Sequence, residues 1–325
     1  MITPHNGRVT SPLAPFLAAR VLAARVLAAR VLGPRVVLAR VLLAGALVAA
    51  TAACTASRPS AAGPVATARS ATAATPATDP PKPVSVAITR LRAPDGSLIT
   101  VATFRGPVVF ALHDGSKSPG KFAGHVLEGP AVTGTERTRL IAAFNGGFQP
   151  KSHAGGYEQE GHVAWPLEPR LASLLIDRAG HARIGVWGKD VPVPGYPVYT
   201  VRQNLWLLVS GGRPTAEAGL WRRWGGTIGG LEHVARSALG ESTTGTFMYA
   251  ASMSTIPADL AWALARMGAR VDMELDINPQ WIQLNAATRP GGRLKAEVPG
   301  QHRPANQYLT GWTRDFIAVL APAAG

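Results

Sequence analysis

The chain has 325 residues, with 33 basic against 19 acidic side chains and a formal charge of +14 at neutral pH. Nine of the basic residues and a single acid, Asp79, lie at or before Lys82, so the remainder carries +6 and no extended Lys/Arg run. With no zinc-finger, helix-turn-helix or RNA-binding signature beside it, that balance leaves no nucleic-acid partner to expect. The one cysteine, Cys54, excludes a disulfide framework.

In chain order, residues 1–54 read as a signal peptide, a lipoprotein signal or a membrane anchor. Arg20, Arg25, Arg30, Arg35 and Arg40 recur every five residues, and on a helix each step turns by about 140°, so the charges reach every face. No bilayer span fits through them. Val41 to Ala53 is uncharged and thirteen residues long, the length of a signal-peptide apolar region rather than a full span. Ala52 and Ala53 precede Cys54 as lipid attachment requires, although Thr51 stands where such signals usually carry Leu. Ala50-Thr51-Ala52 is a rival cleavage site. Lipidation at Cys54, ordinary secretion and an uncleaved anchor therefore all stay open, and each means export, to the outer face of the cell membrane or beyond.

Residues 55–83 are almost all Ala, Thr, Ser and Pro, which cannot bury enough surface to offset chain entropy; a disordered tether is expected. From 84 to 322 the texture changes to short apolar runs separated by Gly, Pro, Asp and Asn, including SLITVATF, VVFALHD, LIAAF, LASLLIDR, LWLLVSGG, TFMYAAS and FIAVLAP. These predict strands, with the PDGS at 94–97 as a hairpin turn. One segment reads clearly as a helix, Pro257 to Met267. Leu260, Ala261, Leu264 and Met267 share a face, Ser254 or Thr255 is placed to cap its start, and Gly268 ends it. Strands on either side make a β-α-β unit near residues 246–277 with its two strands parallel. The expected fold is α/β (α+β): a single domain with a mixed, strand-rich sheet and a few covering helices.

The last strand of that unit, Asp272-Met273-Glu274-Leu275-Asp276-Ile277-Asn278, alternates strictly, which predicts one face carrying all four polar side chains. Same-face neighbours lie about 6.5 to 7 Å apart along a strand, within the range of carboxyl separations in glycoside hydrolases, so Glu274 and Asp276 are candidate catalytic carboxylates. A solvated strand face is the alternative. Asn145-Gly146-Gly147 after LIAAF suits either a tight turn or a nest of backbone amides for an anion. Arg236-Ser237 suits a phosphate clamp or a surface ion pair. Arg202-Gln203-Asn204 and Glu158-Gln159-Glu160 are polar clusters of low specificity. Trp221, Trp224 and Trp281 read as core or as sugar-stacking platforms. Zincin, nucleophile-elbow, phosphate-loop and dinucleotide motifs are absent from the sequence, so no cofactor and no metal is expected. Asp276 with Asn278 alone offers too few oxygens for a cation.

In order and spacing, AAFNGGF at 142–148, LLVSGG at 207–212, RSALG at 236–240, the helix from Pro257 and GARVDMELD at 268–276 resemble the phosphodiester glycosidase domain family, of the N-acetylglucosamine-1-phosphodiester alpha-N-acetylglucosaminidase type. The resemblance implies a sugar-phosphate pocket containing Asn145, Gly146 and Gly147, phosphate contacts from Arg236 and Ser237, and Asp276 as the acid closing the site, with Asn278 beside it. Where that family continues with a glycine-rich turn and a Ser, this chain has Ile277-Asn278-Pro279-Gln280-Trp281. Pro279 lacks an N–H, so a backbone anion cradle cannot form there in the same way. The expected function is a surface-attached hydrolase of a glycosyl phosphodiester in cell-wall or extracellular glycan, with a sugar phosphate or glycan as its partner. A non-catalytic glycan-binding protein on the same fold is the alternative.

Overall fold

The computed structural model describes residues 83–119, 129–225 and 230–323. The segment read as a signal or anchor and nearly all of the expected tether, through Lys82, lie outside them. Among the described residues, no helix is long and apolar enough to cross a membrane.

The PDGS turn forms as the sequence predicts. Ser85–Arg92 and Leu98–Arg105 pair antiparallel with Arg92 opposite Leu98, and the turn closes through Gly96 N–H to Ala93 O at 2.9 Å with Gly96 at φ +90°. This hairpin opens a seven-stranded sheet. It continues through Phe247–Thr255, Val234–Ser242, Ala269–Glu274, Leu207–Ser210 and Arg213–Pro214, in that spatial order. A second sheet runs Lys295–Ala296, Leu284–Ala286, Leu140–Asn145, Phe316–Leu320, Val109–His113. A third runs His162–Trp165, Tyr157–Gln159, Val198–Gln203, Ala172–Asp177, Ala182–Val186.

Three sheets meet on one core. Leu239, Tyr249 and Met273 from the first, Phe144, Leu284 and Ile317 from the second, and Tyr157, Leu174 and Ile184 from the third are all buried in a single cluster. Phe104 stacks on Phe144 at 5.8 Å and Phe144 meets Tyr249 at 4.6 Å, which seats the second sheet on the first. At about 1.5 to 3 kcal/mol for each large apolar side chain buried, this cluster is the main favourable term in the fold.

The other face of the seven-stranded sheet is covered by the Pro257–Arg266 helix, which buries Leu260, Ala261 and Leu264 against Val101, Ala238 and Met248. Gly268 ends it at φ +96°. Its start differs from expectation: the N-cap is Ile256, without a side-chain cap, and Pro257 at the first turn fixes the entry. Thr255 bonds Ile256 O instead. The flanking strands, Phe247–Thr255 and Ala269–Glu274, run parallel to each other, but Val234–Ser242 is inserted between them and pairs antiparallel with both. The unit is thus a split β-α-β.

Candidate functional site

Asn145, the last residue of the Leu140–Asn145 strand, is buried and fully engaged. Its Oδ1 accepts from Tyr249 OH at 2.6 Å, and its Nδ2 donates to Ser237 Oγ at 2.9 Å and to Gly146 O at 3.0 Å. The amides that follow are engaged too. Gly146 N–H donates to Asp315 O at 3.0 Å, Gly147 N–H to Asp315 Oδ2 at 3.3 Å, and Phe148 N–H to Asn204 Oδ1 at 2.9 Å. The nest that the sequence suggests for a substrate anion therefore already holds the protein's own Asp315. Its glycines answer to space rather than to positive φ, since neither appears among the positive-φ residues. A Cβ on Gly146 would fall 2.3 Å from Asp315 Oδ2, and one on Gly147 would fall 2.9 Å from Asn204 Oδ1.

The acidic segment departs from the alternation drawn from its sequence. The strand stops at Glu274. Asp276 Oδ1 accepts from the backbone N–H groups of Ile277 at 2.7 Å and Asn278 at 3.0 Å, and Asn278 Oδ1 accepts from Gln280 N–H at 2.9 Å. Backbone pairing runs one step past the strand, with Leu275 N–H donating to Ser237 O at 2.8 Å and Ser237 N–H to Asp276 O at 3.0 Å, so Leu275 and Asp276 both pair with Ser237. Beyond Asp276 the local turns take over, and Pro279 has no N–H to continue the ladder. Period two still governs the strand itself. Val271 and Met273 enter the core shared by the sheets, while Asp272 and Glu274 take the opposite face.

The same rule separates Arg236 from Ser237, which the sequence reading joins as one phosphate clamp. Ser237 faces Asn145. Arg236, at 0% exposure, donates from Nη1 to Glu274 Oε1 at 2.7 Å and to Trp224 O at 3.0 Å. Both members of that pair are buried, and neither lines the cavity at Asp276. Burial pushes Glu274 up to about 7, and Arg236 offsets this only in part. Asp272, enclosed and bonded to Val209 N–H at 3.0 Å, is pushed well above the usual carboxylate range by burial.

Asp276 is differently placed. Its Oδ2 accepts from Arg314 Nη2 at 3.1 Å, and both residues line a cavity of about 360 Å3 with Phe148, Lys151, Asn278 and Trp281. Burial raises Asp276 to about 6, with Arg314 and the two backbone amides pulling the other way. Arg314 also donates from Nη2 to Gly147 O at 2.9 Å, which ties the glycine turn to the cavity through its carbonyl. With Asn278 Oδ1 taken up by its own turn, the side-chain NH2 is the donor it can offer.

Of the residues singled out from sequence, the structure brings Asp276 and Asn278 to the cavity, sets Asn145, Gly146, Gly147 and Ser237 directly behind it, and seals Glu274 and Arg236 away. Trp224 is core and Trp281 is a cavity wall. A wider cavity of about 720 Å3, along residues 107–112 and 176–181, shares no residue with this one. In the smaller, a buried carboxylate and a buried guanidinium converge, which makes it the candidate site.

Sequence reasoning missed Arg314 and Asp315, and undervalued Arg202 and Asn204. Arg202 Nε donates to Asp315 Oδ2 at 2.8 Å while its guanidinium lies 4.8 Å from the Trp165 ring centre. Asn204 Nδ2 donates to the carbonyls of Glu274 and Leu275, both at 2.8 Å. The available signal was Arg314-Asp315, two charges directly ahead of Phe316–Leu320, a strand whose every residue is buried. No cluster of three metal-ligating side chains occurs among the described residues.

No protein-family model matches this chain, and no curated protein matches it. Among solved structures, it is similar to the catalytic domain of zebrafish N-acetylglucosamine-1-phosphodiester alpha-N-acetylglucosaminidase, auto-inhibited by its pro-peptide, at 14% identity and a TM-score of 0.47 over 77% of this chain and 86% of that one. It is similar also to a hypothetical protein from Synechocystis at 13% identity and a TM-score of 0.40, over 75% of this chain and 64% of that one.

Proposed function

We propose that this protein is an exported, surface-attached hydrolase that cleaves a glycosyl phosphodiester in a cell-wall or extracellular glycan, with the cavity at Asp276 as its centre. One observation carries this reading. The cavity holds a single carboxylate, Asp276, together with the cations of Arg314 and Lys151. An ordinary glycoside needs a second carboxyl group to protonate the departing oxygen. A phosphodiester leaves as a stable anion with little protonation, and needs positive charge where that anion forms. Glu274, the other candidate acid, is enclosed with Arg236, so it does not supply a general acid to this cavity.

In this reading the phosphate lies toward Arg314, Lys151 and the Asn278 NH2. Asp276, held by two backbone amides, stabilises the oxocarbenium-like sugar or activates water on its far side. Arg236 and Ser237 are supports: Ser237 Oγ bonds Asn145, and Ser237 N–H donates to Asp276 O at 3.0 Å. The resemblance in the ordering of NGG, RSALG and the acidic segment points to the same bond. Export rests on the apolar segment and Cys54.

The test is release of free sugar from synthetic sugar-1-phosphodiesters by the full chain. Asp276→Asn is expected to lower kcat/KM by at least about 100-fold, the usual scale for losing a positioned acid or base; equal rates for the two proteins would reject the assignment. Sugar-phosphodiester binding that survives Asp276→Ala, with no product from either protein, would point instead to the glycan-binding alternative, which the engagement of the 277–282 amides in local turns favours.

A further inference from the structure

The ring of Trp281, a wall of the cavity, has a second guanidinium beside it. Arg314 lies 5.2 Å from its centre and Arg303 lies 6.0 Å from it. Arg303 is also 5.0 Å from the centre of the Trp312 ring, which meets Trp281 edge-on at 5.7 Å. Two further bonds fix it: Nε donates to Gln280 O at 3.1 Å, and Nη2 to Gln280 Oε1 at 3.3 Å. Among the described residues, its Nη1 has no hydrogen-bond partner.

Among the described residues, no carboxylate pairs with Arg303 or with Lys151. Arg314, 5% exposed, keeps an Nε with no hydrogen-bond partner. The cavity and its Trp281 side therefore present three cations against one carboxylate, Asp276, which is already matched to Arg314. A guanidinium held against indole rings loses little freedom when it binds, and its fork suits phosphate oxygens.

We propose that Arg303, set on Trp281 and Trp312, is a second phosphate subsite, so that the substrate is a polymer carrying successive phosphodiesters rather than a lone sugar phosphodiester. This rests on the hydrolase reading for the identity of the anion in the first subsite. The stretch Ile277 to Trp281, which differs most from the pattern it resembles, becomes the part that selects for length. Trp281 acts there as the spacer between two guanidinium groups.

The experiment is calorimetric titration of the full chain at low salt with two probes, a glycosyl-1-phosphoglycerol carrying one phosphate and its extension by a second phosphoglycerol unit. The two-phosphate probe is expected to bind about tenfold more tightly, a gap that narrows as added salt screens an exposed cation. Arg303→Gln should close that gap to within about twofold while leaving affinity for the one-phosphate probe unchanged, and Arg303→Lys should restore part of it. Equal affinity for both probes, or a gap untouched by Arg303→Gln, overturns the subsite. Cleavage without the gap would overturn the subsite and keep the hydrolase; an Arg303-dependent gap without cleavage would do the reverse. Binding of neither probe rejects both.

Discussion

Two arginine–carboxylate pairs stand two residues apart along the acidic segment, and they have opposite surroundings. Arg236 with Glu274 is closed in by Trp224 and the sheet, at 0% exposure on both sides. Arg314 with Asp276 borders a cavity, at 7% on both sides. The chemistry is the same, and so is the sequence signal, since either acid belongs to the alternating run. What differs is whether a third party can reach the charges. A sealed pair specifies packing, whereas an open one is available to a ligand.

The largest expected effect breaks the sealed pair. Glu274→Ala leaves the Arg236 guanidinium buried and unmatched, and should cost about 3 to 5 kcal/mol of stability. Asp276→Ala leaves Arg314 beside a cavity that water can enter and two backbone N–H groups without an acceptor, and should cost less, about 1 to 3 kcal/mol. Denaturant midpoints with unchanged slopes would measure both. Equal losses would erase the distinction between the two pairs.

Next in size is the wall that links them. Gly146→Ala drives a methyl group to within 2.3 Å of Asp315 Oδ2, and overpacking of this kind costs about 1 to 3 kcal/mol. Since Asp315 also holds Arg202 and Gly147 N–H, turnover should fall along with the denaturation midpoint. A variant of wild-type stability and activity would show that the turn is looser than its contacts imply.

How much of this was legible in the sequence follows from distance along the chain. The PDGS hairpin, the helix from Pro257 and the stop at Gly268 are written in neighbouring residues, and they form as read except for the helix cap, which falls on Ile256 instead of Ser254 or Thr255. The NGG turn was visible for the same reason, but its occupant was not: Asp315 is 168 residues from Gly147, and Arg314 is 38 from Asp276. No local pattern reports such partners. The alternation of Asp272, Glu274, Asp276 and Asn278 was legible as strand. It misled beyond Glu274, because Leu275 and Asp276 both pair with Ser237, two residues against one, and Asp276 then bonds the amides directly after it. Arg236-Ser237 was read as one clamp although adjacent strand residues face opposite ways, a conclusion that period two already contained.

The smallest effect is in the pH dependence, and it sharpens the comparison furthest. Asp276 is raised from 3.8 to about 6, and Glu274 from 4.5 to about 7, in both cases by burial. A carboxyl group raised in the folded state makes that state bind more protons than the unfolded chain. Its contribution is therefore whole below the unfolded value and is lost as pH rises through the folded one. Stability should decline from about pH 4 to about pH 6 through Asp276, and from about pH 4.5 to about pH 7 through Glu274. Asp276→Asn carries an amide that never ionises, so the variant should gain on the wild type as pH rises toward 6 and hold that gain above it. Denaturation from pH 4 to pH 8 would measure this, and a constant offset between the two proteins would mean that Asp276 does not titrate in this range. In the hydrolase reading the ionised form of Asp276 is the working one, so kcat/KM should climb over the interval in which its contribution to stability falls away. Glu274, sealed with Arg236, should leave no matching step in activity between pH 6 and 7.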